Sequence, residues 1–189
     1  MEPNENIELI LEDAKERMGK SFDGMHTSLL QVRSGRATPS LVEDIRIEAY
    51  GDVMPLNQLA NISIPEARLI LVDPFDKSQI QNIEKGIQKS GRNLNPQSDG
   101  SIIRIPLPDM SEETRREMVK LARTKVEDSK IAIRNIRRDA NEDLKKLKSE
   151  GVSEDAIREG TDEVQKLTDS FIKKMDDSMA AKEKEIMSV

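Results

Sequence analysis

Between residues 114 and 138 nine basic residues stand against three acids, and the basic cluster runs on as RNIRRDANEDLKKL over residues 134–147. The chain as a whole has 189 residues and a net charge of −6. The acids are gathered elsewhere: residues 1–18 hold six acids and two bases, and residues 150–189 hold eleven and six. Arg116, Lys120, Arg123, Lys130, Arg134, Arg137 and Lys145 recur at steps of three, four, seven and, at the end, eight, with Arg138 beside them and Glu127 interrupting. On a helix these steps make one stripe next to the apolar face. A rod of cations suits a phosphate backbone, because affinity comes from neutralising phosphates and arginine can fork across their oxygens. The competing reading is a solvated face paired to the acidic segments at the two chain ends. With one Tyr, three Phe and no Trp, stacking on unpaired bases is poorly served. The nucleic acid expected here is a structured RNA recognised by its backbone.

Other chemistries lack their residues. The absence of cysteine excludes disulfides, thiolate zinc sites and thiol nucleophiles. His26 is the only histidine, so a metal would rest on it and on carboxylates alone; neither a metal nor a cofactor is expected. No Walker A loop, G-x-G-x-x-G, G-x-S-x-G or H-E-x-x-H spacing occurs. His26 is read as an ordinary helix residue without a general-base partner. The carboxylates are interleaved with Lys and Arg, as on an ion-paired surface, and Met18, Met25, Met175 and Met179 read as packing residues. The chain is therefore expected not to be an enzyme. The start MEPNENIELILED has no basic region before an apolar run, and no apolar stretch approaches the ~20 residues of a membrane span. A soluble, cytoplasmic protein with no membrane partner is expected.

The elements that must carry the basic stripe are legible from proline and periodicity. Seven of the eight prolines lie from Pro39 to Pro108, and none follows. After them Ser111 is a plausible N-cap, with Glu112 and Glu113 complementing the helix dipole. Val119, Ala122, Val126, Ser129, Ile133, Ile136, Ala140, Leu144 and Leu147 then mark one helical face, ended by Gly151. A helix over 111–149 would be about 58 Å long. A second stripe runs Val164, Leu167, Phe171, Met175, Met179 and Ile186, with Ser153 and then Thr161 as caps and Gly160 as an interruption. A third, Ile7, Leu11, Ala14, Met18, Phe22, Met25, Leu29 and Val32, opens the chain, although Gly19 and Gly24 each cost about 1 kcal/mol there. Three such stripes can bury their faces only against one another, which predicts a three-helix bundle built from both chain ends.

Between them the period changes. Ile45, Ile47 and Ala49 alternate with polar residues, RLILVDPF is a short apolar run, and GSIIRIPLP reads as a last strand. Ile80, Ile83 and Ile87 mark a helix that ends at Gly91. The fold class expected is α+β: an elongated three-helix bundle, residues 1–33 with 106–189, and an inserted small β/α/β domain, residues 34–105. The connections at 33–36 and 104–108, with Gly35, Pro39, Pro106 and Pro108, serve either as a hinge or as two rigid loops.

Several segments together resemble the ribosome recycling factor family: QVRSGRATPSL, MPLNQLANISI, VDPFDKS, LNPQSDGSIIRIPLP, RNIRRDANEDLKKL and VQKLTDSFIKKMD. The resemblance covers essentially the whole chain. It implies an L-shaped protein that binds the large ribosomal subunit of post-termination complexes and, with elongation factor G and GTP, splits the ribosome into subunits for a new round of protein biosynthesis. It also implies ribosomal RNA contacts at Arg134, Arg137 and Arg138, at Arg116, Lys120, Arg123 and Lys130, and at Arg33 and Arg36. The hinge it implies comprises Arg33, Ser34, Gly35, Arg104, Ile105 and Pro106. A monomer is expected, since all three stripes are used internally. The alternative class is a coiled-coil adaptor whose basic stripe pairs with acidic protein surfaces.

Overall fold

The computed structural model describes residues 4–188. Two compact units are present: the chain up to Arg33 together with Glu113–Ser188, and Ser34–Glu112.

The first unit holds three long helices, α1 (Glu5–Leu30), α3 (Glu112–Lys146) and α4 (Glu154–Met187). Asn4 starts α1 by accepting the Asn6 and Ile7 amides at 3.1 and 3.4 Å, with Glu5 and Glu8 in the first turn, where carboxylates meet the positive end of the helix dipole. Helix α1 runs unbroken through Gly19 and Gly24. Burial of Ile7, Ala14, Met18, Met25 and Leu29 outweighs the propensity cost of two glycines, because each buried aliphatic side chain contributes roughly 1.5–3 kcal/mol. Helix α3 ends in a short 3₁₀ turn, Leu147–Glu150, closed by Gly151 at φ 90°, a left-handed cap that glycine adopts without a Cβ penalty.

Ser153 caps α4 by accepting the Ala156 amide at 3.3 Å. The interruption expected at Gly160 and the second cap expected at Thr161 are both absent, and α4 continues through them. Thr161 instead donates to the Ile157 carbonyl at 2.9 Å inside the helix. A Cβ on Gly160 would lie 3.1 Å from Leu144 Cδ2 and 3.2 Å from Ile7 Cγ2. At this glycine α1, α3 and α4 meet around one missing side chain. Above it the core is aliphatic and thioether: Met18, Ile133, Leu144, Val164, Met175 and Ile186 are all fully buried.

The second unit contains seven regular elements in chain order: strands β1 (Arg46–Ala49), β2 (Asp52–Pro55), β3 (Ala60–Glu66) and β4 (Leu69–Pro74), helix α2 (Ile80–Lys89), and strands β5 (Gln97–Ser98) and β6 (Ile103–Pro106). β1 and β2 form a hairpin, and the other four form an antiparallel sheet in the order β3-β4-β6-β5. The hairpin turn uses Tyr50 at φ 55° and Gly51 at φ 78°, the paired left-handed geometry that matches strand twist. β3 escaped the sequence reading because Asn61 and Pro65 are poor strand residues. It is an edge strand, and its register slips between Ser63 and Glu66 around that proline, where a missing ladder donor is tolerated. Ile80, Ile83 and Ile87 of α2 pack with Ile47, Ile70, Val72, Ile103 and Ile105 into a core of their own. A Cβ on Gly86 would collide with Ile47 Cδ1, so this glycine lets α2 lie directly on β1. The second boundary falls beyond β6 because the Leu107 amide still donates to the Arg68 carbonyl at 2.8 Å and Arg68 pairs with Asp109.

Candidate nucleic-acid interface

Eight of the eleven bases of α3 fall in two rows beside its buried face of Val119, Ala122, Val126, Ile133, Ile136, Ala140 and Leu144. At roughly 100° per residue, Arg123, Lys130 and Arg137 lie a little under a quarter turn from the core direction. Arg116, Lys120, Arg134, Arg138 and Lys145 lie roughly a third of a turn away, facing outward.

The inner row is committed to α4. Arg123 donates to Glu183 Oε1 at 2.7 Å, and Arg137 donates to Gln165 Oε1 at 3.1 Å. Lys130 bridges Asp176 at 2.5 Å and Glu127 at 3.0 Å with its side chain only 12% exposed. Its hydrogen bond to Asp176 outweighs partial burial and holds the ammonium above its ordinary pKa. On the other edge of α3, Asp139 accepts Arg17 of α1 at 2.6 Å, and that bond raises the Arg17 pKa. Acids of α4 thus neutralise Arg123 and Lys130 on one flank of α3, while on the other flank a base of α1 neutralises the acid Asp139.

The outward row is not neutralised in the same way. Among the described residues the side chains of Lys120, Arg134, Arg138 and Lys145 are exposed and make no hydrogen bond or ion pair. Arg116 is exposed in the same row and engaged by neighbouring groups. Glu127, which interrupts the row in sequence, has its carboxylate taken by Lys130. An incoming polyanion would meet these four cations without first breaking an internal ion pair. One neighbour was missed by sequence reasoning: Ile131 is 52% exposed, one turn before Arg134. The signal was available, since residue 131 lies off the stripe formed by 119, 122, 126 and 133.

Of the remaining predicted positions, Arg33 to Arg36 lie at the first unit boundary, whereas Arg104, Ile105 and Pro106 lie inside the second unit. Exposed Arg33 ends the first unit, and exposed Arg36 belongs to the second. Ser34 is buried and accepts the Arg36 amide at 3.4 Å, while Gly35 sits at φ 78°, a left-handed conformation natural to glycine. Arg104, Ile105 and Pro106 are strand residues of β6, paired with Leu71, Ile70 and Leu69 of β4. Ile105 is completely buried. His26 is exposed and stacks on Phe22 at a ring separation of 6.4 Å. Among the described residues no group of His, Asp or Glu is arranged to hold a metal ion, and no helix is long and apolar enough to cross a membrane.

A family model described as ribosome recycling factor matches residues 25–187. A ribosome-recycling factor of Halalkalibacterium halodurans is 50% identical over 181 residues, 95% of this chain and 98% of that protein. One of Natranaerobius thermophilus is 50% identical over 183 residues, 96% of this chain and all of its own length. A solution structure of a ribosome recycling factor superposes with a TM-score of 0.76 at 39% identity, covering 98% of this chain and 100% of that one. A Thermus thermophilus factor described with Escherichia coli elongation factor G on the E. coli post-termination complex gives a TM-score of 0.63 at 37% identity, covering 96% and 98%.

Proposed function

Because the chain belongs to the ribosome recycling factor family, we propose that the outward row of α3 is what holds it to the ribosome. The protein is a translation factor that recycles ribosomes after termination. Its helical unit binds ribosomal RNA of the large subunit through Lys120, Arg134, Arg138 and Lys145, with Arg116 and exposed Arg33 adding charge. Arg123, Lys130 and Arg137 act chiefly within the bundle, keeping α4 on α3 so that the outward row stays straight. Elongation factor G with GTP drives the splitting step, as the relative described with that factor on a post-termination complex suggests. The factor acts as a monomer in the cytoplasm, where ribosomes are.

The observation that carries the RNA contact is that Lys120, Arg134, Arg138 and Lys145 stand exposed without internal side-chain partners on a helix whose Arg123, Lys130 and Arg137 are held by α4. A stiff helix of 35 residues transmits displacement where a flexible loop would absorb it. The connections between the units serve as the hinge. Arg33, Ser34 and Gly35 form one arm. In the other arm Arg104, Ile105 and Pro106 anchor the chain to the sheet, so the rotation falls on the residues after them.

Splitting of post-termination ribosomes, followed by light scattering with elongation factor G and GTP, tests this directly. The wild-type chain should support splitting, and Arg134→Glu/Arg138→Glu should abolish it while leaving the helical content unchanged. Full splitting by the variant would remove the outward row as the RNA anchor. Binding that survives digestion of the ribosomal RNA would favour a protein partner for the row instead.

A further inference from the structure

The second unit carries a cavity of about 390 Å³ between β1 and α2 that neither the bundle nor the RNA anchor explains. Ser34–Glu112 contains eight bases and eleven acids. Four of those bases, Arg46, Lys85, Lys89 and Arg92, line this single cavity, against only Asp44 and Glu48. Half the cations of an acidic unit therefore converge on one concave site.

Their arrangement is built rather than incidental. Arg92 is fixed by two parallel bonds to Asp44 at 2.8 and 3.1 Å and by a third to the Leu41 carbonyl at 2.7 Å. The bond to Arg92 holds the Asp44 carboxyl below its ordinary pKa, so it stays ionised and spent on its partner. Arg46, Lys85 and Lys89 are exposed and make no ion pair among the described residues. Lys85 and Lys89 stand four residues apart on one face of α2, and Arg46 faces outward from the strand beneath. Gly86 contributes as well: a Cβ there would lie 3.4 Å from the Arg46 carbonyl oxygen and collide with Ile47 Cδ1, so the glycine lets α2 sit close on β1 at the floor of the site. The carbonyl end of α2 points an unfavourable dipole at an anion. There Ser90 donates both its amide, at 3.2 Å, and its hydroxyl, at 2.6 Å, to the Ile87 carbonyl, covering that acceptor.

We propose that this cavity binds a phosphate group, gripped by Lys85, Lys89 and Arg46 with Arg92 as the fixed wall. The phosphate comes either from an RNA backbone or from a free phosphate compound. Three exposed, unpaired cations around one guanidinium held by Asp44 give the charge that a phosphate requires, whether it comes on a chain or from solution.

The test uses the full chain, isotopically labelled, with amide shifts read at Arg46, Lys85, Lys89 and Ser90. One arm titrates inorganic phosphate. The other titrates a short RNA duplex into Arg134→Ala/Arg138→Ala, so that α3 cannot dominate. Saturable shifts confined to the cavity, weakened at least tenfold by Lys85→Gln/Lys89→Gln, support the site. Saturation with phosphate alone identifies a free compound as its source, and saturation with RNA identifies the backbone. The glutamines keep side-chain bulk at exposed positions, and unchanged amides elsewhere verify the fold. Shifts spread over exposed lysines without saturation, or unaltered by the double substitution, overturn the proposal.

Discussion

Replacing Arg134 and Arg138 by alanine removes two exposed cations that make no internal bond, so the change falls on binding and not on the fold. Each phosphate contact contributes about −0.9 to the slope of log affinity against log salt on duplex DNA, and we take a similar value for structured RNA. At about 0.1 M salt one such contact is worth a factor of ~8, and two a factor of ~60. The matched control is Arg123→Ala/Arg137→Ala. It removes the same charge from the same helix, but from side chains already bonded to Glu183 and Gln165. Exposed pairs of that kind contribute about 0–1 kcal/mol to stability, and their loss should shift the slope by much less than one unit. The assay is binding of labelled protein to large ribosomal subunits from 50 to 200 mM salt. The outer pair should lose about 60-fold and flatten the slope by about two units. Equal losses from the two pairs, or an unchanged slope for the outer pair, would refute the division of the basic stripe.

Other outcomes follow from packing and titration. Gly86→Ala should destabilise the second unit by about 1 kcal/mol or more, the collision with buried Ile47 exceeding the gain in helix propensity. Adding Ile47→Val removes the colliding Cδ1 and should recover part of that loss in urea unfolding, whereas Ile47→Val alone costs about 0.5–1.5 kcal/mol. Gly160→Val puts two methyls between Ile7 and Leu144, and thermal unfolding should show a loss of roughly 1–3 kcal/mol. The Lys130 pKa is raised above 10.5 by Asp176. Its contribution is therefore complete below 10.5 and is lost as pH climbs through the folded-state value. The stability gap between wild type and Asp176→Asn should be flat from pH 7 to 10 and shrink beyond that.

The three stripes of the bundle were legible because a 3.6-residue period has one physical cause, burial of one face. Met18, Ile133 and Met175 fell where that period placed them. The segregation of charge was likewise a property of residue order alone. Local rules failed where distant residues decide the outcome. Gly160 has the chemistry of a helix breaker, yet it is an interior contact between three helices, because Ile7 and Leu144 arrive from 153 and 16 positions away to fill the space a side chain would need. Pro65 hid β3, since only the sheet order makes that strand an edge. Residue order alone puts a line of cations on one helix; which of them are paired was settled by the side on which α4 packs. Its Glu183, Asp176 and Gln165 claim Arg123, Lys130 and Arg137 and leave Arg134 and Arg138 outside. Helical periodicity places a charge at an angle, and the partner that neutralises it comes from another part of the chain.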